Sequence, residues 1–90
     1  MATVTWTIQA LQDLKEVRAF IAQERPITAE RIGDRLRAAA AKLDQHPNRG
    51  RPIAGGRREL SHIAPYLIRY RVEAEQIVVL EVRHAAREAE

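Results

Sequence analysis

The sequence predicts an α+β fold in the order β-α-α-β-β-β, with a helical hairpin packed on one face of an antiparallel sheet. Two observations carry this prediction. Apolar residues recur every three or four positions from Ile8 to Leu43, and beyond Arg57 the apolar period falls to two. The breakers between them, at Pro47, Gly50, Pro52 and Gly55-Gly56, mark the change from helix to strand. Ninety residues are expected to form one domain, 1–90, around a single core.

Val4-Thr5-Trp6 alternates apolar and polar, which predicts a short strand with Val4 and Trp6 inward. Thr7 stands where an N-cap belongs, because its hydroxyl can take up a free N–H of the first helical turn. Ile8, Leu11, Leu14, Val17 and Ile21 then form one stripe on a helix reaching about Glu24. Pro26 is expected to stop this helix and Thr28 to cap the next. The stripe of that second helix is Ile32, Leu36, Ala39, Ala40 and Leu43. So short a connection makes the two helices antiparallel neighbours.

After a loop at residues 46–56, strands are predicted at 58–63, 66–72 and 76–84. Glu73-Ala74-Glu75 forms the tight turn between the last two. Ile68, Tyr70 and Val72 share a face and match Val78, Leu80 and Val82, so that face is expected to receive the helices. The other face then carries Leu67, Arg69 and Arg71 beside Ile77, Val79, Glu81 and Arg83. An antiparallel sheet can keep one wet face, and an Arg69–Glu81 or Arg71–Glu81 pair there would carry little energy. Three apolar side chains among those charges favour a covering partner instead.

Composition narrows the function classes. There is no cysteine, which fits a reducing cytosol and excludes a disulfide framework or a thiolate zinc site. No run approaches the roughly 20 apolar residues of a membrane-spanning helix, and the N-terminus lacks a charged n-region, so a cytoplasmic protein is expected. The net charge is +3 and the pI about 10.0, and all the cations but Lys15 and Lys42 are arginine. Arginine recognises phosphate and carboxylate bidentately, but an arginine-favouring genome gives the same composition; position has to decide.

His46, His62 and His84 fit no ligand spacing, so no metal and no cofactor are expected. Ser61 lacks a G-x-S-x-G turn, and the glycines form no phosphate-cradling motif before a helix. The loop from Arg49 to Arg58 is more informative: Arg49, Arg51, Arg57 and Arg58 occur with no acid between them until Glu59. With Arg69, Arg71, Arg83 and Arg87 they make a candidate target-binding set of cations in the sheet-forming half.

These residues resemble the ParE/RelE-type toxins of bacterial type II toxin–antitoxin pairs. The features shared are Trp6-Thr7, the hairpin at 8–45, Gly50-Arg51-Pro52, Tyr66-x3-Tyr70-Arg71-Val72 and His84-x2-Arg87. Each is weak alone; in this order and spacing they cover nearly the whole chain. The resemblance implies a toxin neutralised by a co-expressed antitoxin, of the ribbon-helix-helix, ParD-like kind, which would also mediate any contact with operator DNA. Leu67, Ile77 and Val79 on the open sheet face are the expected antitoxin contacts.

Two activities share this fold. RelE-like members cleave messenger RNA on the ribosome, and ParE-like members poison DNA gyrase. RNA cleavage needs a group that activates the 2′-OH, an acid for the leaving oxygen and cations for the phosphate. Where RelE-like toxins place an arginine after the aromatic that opens the third strand, this chain has Leu67, and no tyrosine follows His84. Only His84 and Arg87 carry over as catalytic candidates. The expectation is therefore a ParE-branch toxin acting on gyrase through protein contacts. A ribosome-dependent ribonuclease is the alternative, and a toxin reduced to an antitoxin-binding co-repressor is a third.

Overall fold

The computed structural model describes residues 3–89. Its elements run β1 (Thr3–Trp6), α1 (Ile8–Ala22), α2 (Pro26–Ala41), β2 (Arg51–Ile53), β3 (Arg57–Ile63), β4 (Tyr66–Val72) and β5 (Gln76–His84). A final 3₁₀ turn covers Ala85–Ala89. The strands form one sheet in the order β1-β5-β4-β3-β2. The α+β architecture is the expected one, with two differences. The sheet is mixed, because β1 lies parallel to β5, and the loop after α2 contributes the three-residue edge strand β2. Three residues with a proline among them give too short a pattern to read as a strand.

Thr7 caps α1 as expected, accepting the Ala10 N–H at 3.0 Å. The buried stripe of α1 is turned from the predicted one. Ala10, Asp13 and Leu14 are buried, Val17 and Ile21 pack partly against the core, and Ile8 is 83% exposed with Leu11 also outside. Pro26 opens α2 rather than ending α1, and Arg25, not Thr28, is its N-cap. Proline suits the first helical position because it has no N–H to leave unsatisfied and its φ is already helical. From Leu36 to Leu43 the α2 stripe is buried as expected.

The largest departure lies in β5. Arg69 pairs with Glu81 and Tyr70 with Val79, so Leu80 is an extra residue, a β-bulge. One inserted residue exchanges the two faces of everything beyond it. Before the bulge Ile77 and Val79 point to the helices, and after it Val82 does. Ile77 and Val79 are therefore core residues at 0% exposure, and Val78 stands opposite Arg71 on the open face. The expectation that Ile77 and Val79 lie on the open face is wrong for this reason.

The bulge is held by α1. The Thr7 hydroxyl donates to the Leu80 carbonyl at 3.0 Å, and Asp13 accepts the Val82 N–H at 3.0 Å. Gln9 donates to the other Asp13 oxygen at 2.7 Å. A buried carboxylate is tolerated when its oxygens are hydrogen-bonded in this way, which explains an acid on the inner side of an apolar helix.

Candidate functional site

Three regions hold the residues singled out from the sequence. The first is the open sheet face, where a row of alternating charges crosses four strands. Arg51 on β2 reaches Glu59 on β3 at 2.9 Å, and Glu59 accepts from Arg69 on β4 at 2.8 Å. Arg69 reaches Glu81 on β5 at 3.1 Å, and Arg57 joins Glu81 at 3.6 Å. Glu59 is only 5% exposed beneath these side chains. Burial alone would raise its pKa, but the hydrogen bonds and charges of Arg69 and Arg51 outweigh that and hold it below the usual 4.5. Leu67 lies on the same face, half-buried and opposite Arg83.

The second region is the loop before β3. Tyr70, fully buried, donates its hydroxyl to the Pro47 carbonyl at 2.7 Å and accepts the Gly50 N–H at 2.8 Å. Burial raises the pKa of this phenol, against the lowering effects of the Gly50 hydrogen bond and Arg58. Arg58 completes the clasp by donating to the Gly50 carbonyl at 2.6 Å and the Asn48 carbonyl at 3.3 Å. A Cβ on Gly50 would stand 2.8 Å from the Tyr70 ring and 2.9 Å from the Glu59 carbonyl. Only glycine fits there.

The third region is a cleft of about 560 Å³ between α1 and the end of β5. Its walls include Val17, Phe20, Tyr66 and Val82, with Arg83, His84 and Arg87 among the polar groups. Tyr66 is buried and meets His84 edge to face, ring centroids 5.4 Å apart. Burial raises the Tyr66 pKa, and the Arg87 cation works in the opposite direction. The phenol is therefore protonated at neutral pH. His84 accepts the Ala86 N–H on Nδ1 at 3.1 Å, which leaves Nε2 to carry the proton of the neutral ring. Phe20 is 62% exposed at this cleft.

Residues 4–89 match the family model described as the ParE toxin of the type II toxin–antitoxin system parDE. The chain belongs to the ParE toxin family. It is 44% identical over 97% of its length to Toxin RelE2 of Caulobacter vibrioides, covering 99% of that protein. It is 34% identical over 91% of its length to Putative toxin Y4kP of Sinorhizobium fredii, covering 86% of that chain. Among solved structures it matches the chromosomal ParDE toxin–antitoxin system from P. aeruginosa with a TM-score of 0.85 and 25% identity. That match covers 93% of this chain and 96% of the other. The protein is thus a toxin of a type II toxin–antitoxin module, and membership of the ParE family implies an antitoxin partner.

Within this ParE-family toxin the eight arginines singled out do not form one patch. Arg51, Arg57 and Arg69 are engaged by Glu59 and Glu81 across the sheet, and Arg58 is spent on the loop. Arg71 stands opposite Val78, Arg83 and Arg87 border the cleft, and Arg49 lies on the loop surface. The cleft brings His84 and Arg87 together with Tyr66, a residue the sequence reading noted only as part of a motif. Glu59 was the missed partner. Its place opposite both Arg51 and Arg69 follows from the β2–β3–β4 register, and β2 is not visible in the sequence pattern.

Proposed function

We propose that this toxin acts by blocking DNA gyrase through protein contacts and is neutralised by a cognate ribbon-helix-helix antitoxin. The observation that carries the proposal is the charge row on the open sheet face. Ribonuclease chemistry on that face would need cations free to meet a phosphate and a group able to move a proton. Arg51, Arg57 and Arg69 are instead matched to carboxylates, and Leu67 can do neither task. The antitoxin is assigned to the cleft rather than to Ile77 and Val79, which are internal. Phe20 offers the apolar contact there, and Arg83 and Arg87 among the lining residues give the cleft a basic character that suits acidic side chains.

One observation favours the ribonuclease reading. A neutral phenol, an imidazole and a guanidinium converge in one cleft at Tyr66, His84 and Arg87, and these are acid, base and phosphate-holding types. The two readings part in a paired assay of purified toxin. The gyrase reading requires loss of supercoiling or trapping of cleaved DNA, with messenger RNA intact on translating ribosomes. Codon-register RNA cuts that vanish in His84→Ala, with gyrase unaffected, would overturn it.

A further inference from the structure

A further group of cations lies away from the sheet face. Arg31, Arg35 and Lys42 follow one another at spacings of four and seven, which puts them on one flank of the α2 helix and its 3₁₀ extension Lys42–Asp44, with Ala38 between them. All three are exposed. The outer edge of β3 lies within electrostatic reach of this flank, since Arg35 and Lys42 both act on His62. Because β2 pairs only with Arg57–Glu59, the rest of that edge is left to the loop, and Arg49, Ser61 and His62 line a recess of about 230 Å³ there. The recess also contains Glu59 and Arg51, but these are joined to each other and, through Glu59, to Arg69. Burial first, then the charges of Arg49, Arg35 and Lys42, lower the pKa of His62. These three cations, from the helix flank and from the loop, thus act together on one strand-edge side chain.

We propose that Arg35, Lys42, Arg49 and His62 form a binding site for the phosphodiester backbone of a nucleic-acid duplex. Two features select this ligand over an acidic protein segment. Protein interfaces are built around buried apolar or aromatic anchors. The exposed large apolar side chains all lie outside this patch: Ile8, Leu11 and Phe20 on α1, Ile27 at the start of α2, and Val72 at the end of β4. Interfaces with nucleic acid are polar and strongly positive instead. Dimensions agree too, since seven residues of helix advance about 10 Å, roughly the rise of three base pairs. Contacts to phosphates alone carry no sequence information, so binding is expected to be independent of sequence. This site is separate from the cleft and does not depend on the gyrase reading. It goes beyond the antitoxin-mediated DNA contact implied by the family resemblance.

The test is a salt titration of purified toxin with a labelled 20-base-pair DNA duplex of arbitrary sequence, read by fluorescence anisotropy and repeated with an RNA duplex. Three phosphate contacts give a log–log slope of about −3 on DNA. Arg35→Glu/Lys42→Glu should remove about two contacts from that slope and weaken binding more than tenfold. The charge-matched control Lys15→Glu/Arg37→Glu, on other faces of the helices, should leave the slope in place. Arg49→Gln, with its small structural footprint, should lower the slope by about one contact. Binding to both duplexes, or to RNA alone, identifies the source of the phosphates while supporting the site. Equal slopes for the two charge-reversed proteins, or poly-glutamate competing as well as DNA, would overturn it.

Discussion

The Tyr70 hydroxyl lies 2.8 Å from the Gly50 nitrogen, so two sequence motifs twenty residues apart are two sides of one contact. Gly50-Arg51-Pro52 turns the chain into β2, and Tyr70 fixes the start of that turn from inside the core. Tyr70→Phe leaves the Gly50 N–H and the Pro47 carbonyl without this partner, and should cost about 1–3 kcal/mol. Gly50→Ala should cost a similar amount by overpacking. In urea denaturation the double variant should lose less than the sum of the two, because the residues touch. Strict additivity would mean that the contact does not organise the loop.

Asp13 tests the link between α1 and the bulge. Asp13→Ala strands the Val82 N–H and should destabilise the fold by about 1–3 kcal/mol. Asp13→Asn retains an oxygen acceptor and should recover most of that loss. Equal destabilisation by both variants would show that the negative charge, not the hydrogen bond, matters.

Acid should loosen the sheet through Glu59. Its folded-state pKa lies below the ordinary 4.5, so the stabilisation is present above that value and is lost as pH falls through the lowered folded value. Stability measured from pH 7 to pH 3 should therefore fall more steeply in the native protein than in Glu59→Gln. Parallel curves would remove Glu59 from the account.

Val79 and Phe20 separate core from docking surface. Val79→Asp places an unpaired charge in the core and should abolish folding rather than selectively weaken an antitoxin complex. Phe20→Glu should leave thermal unfolding nearly unchanged. Burying a large apolar side chain is worth about 1.5–3 kcal/mol, so this variant should weaken antitoxin binding about tenfold or more in calorimetry. Unchanged affinity would move the antitoxin off the cleft.

Toxicity itself should follow charge rather than the imidazole. On the gyrase reading Arg83→Glu or Arg87→Glu relieves growth arrest in cells expressing the toxin alone, while His84→Ala relieves it little. The converse ranking, scored by colony counts at matched protein levels, would favour the ribonuclease.

The sequence held the helical hairpin, the Thr7 cap and the limits of β4 and β5, because periodicity and breakers are local signals. It concealed the bulge. Ile77-Val78-Val79-Leu80 is an unbroken apolar run, and such a run has no preferred register until its neighbours supply one. The stripe of α1 is hidden for a related reason: small Ala10 and hydrogen-bonded Asp13 are the buried residues, while the larger apolar Ile8 and Leu11 are exposed. At the candidate site, counting arginines could not tell which were matched. That depends on β2, whose three residues place Arg51 opposite Glu59. Arg35 and Lys42 carry no signal of their own in the sequence, because a charged helix face is ordinarily just solvated.

The two margins of the sheet are β1, with four residues, and β2, with three, of which Pro52 has no N–H to offer. An exposed strand edge is a template on which another copy can grow, and these margins are too short, and in β2 too interrupted, to serve. Margins this short leave another copy few backbone groups on which to extend the sheet, so the fold carries its own guard against growing edge to edge.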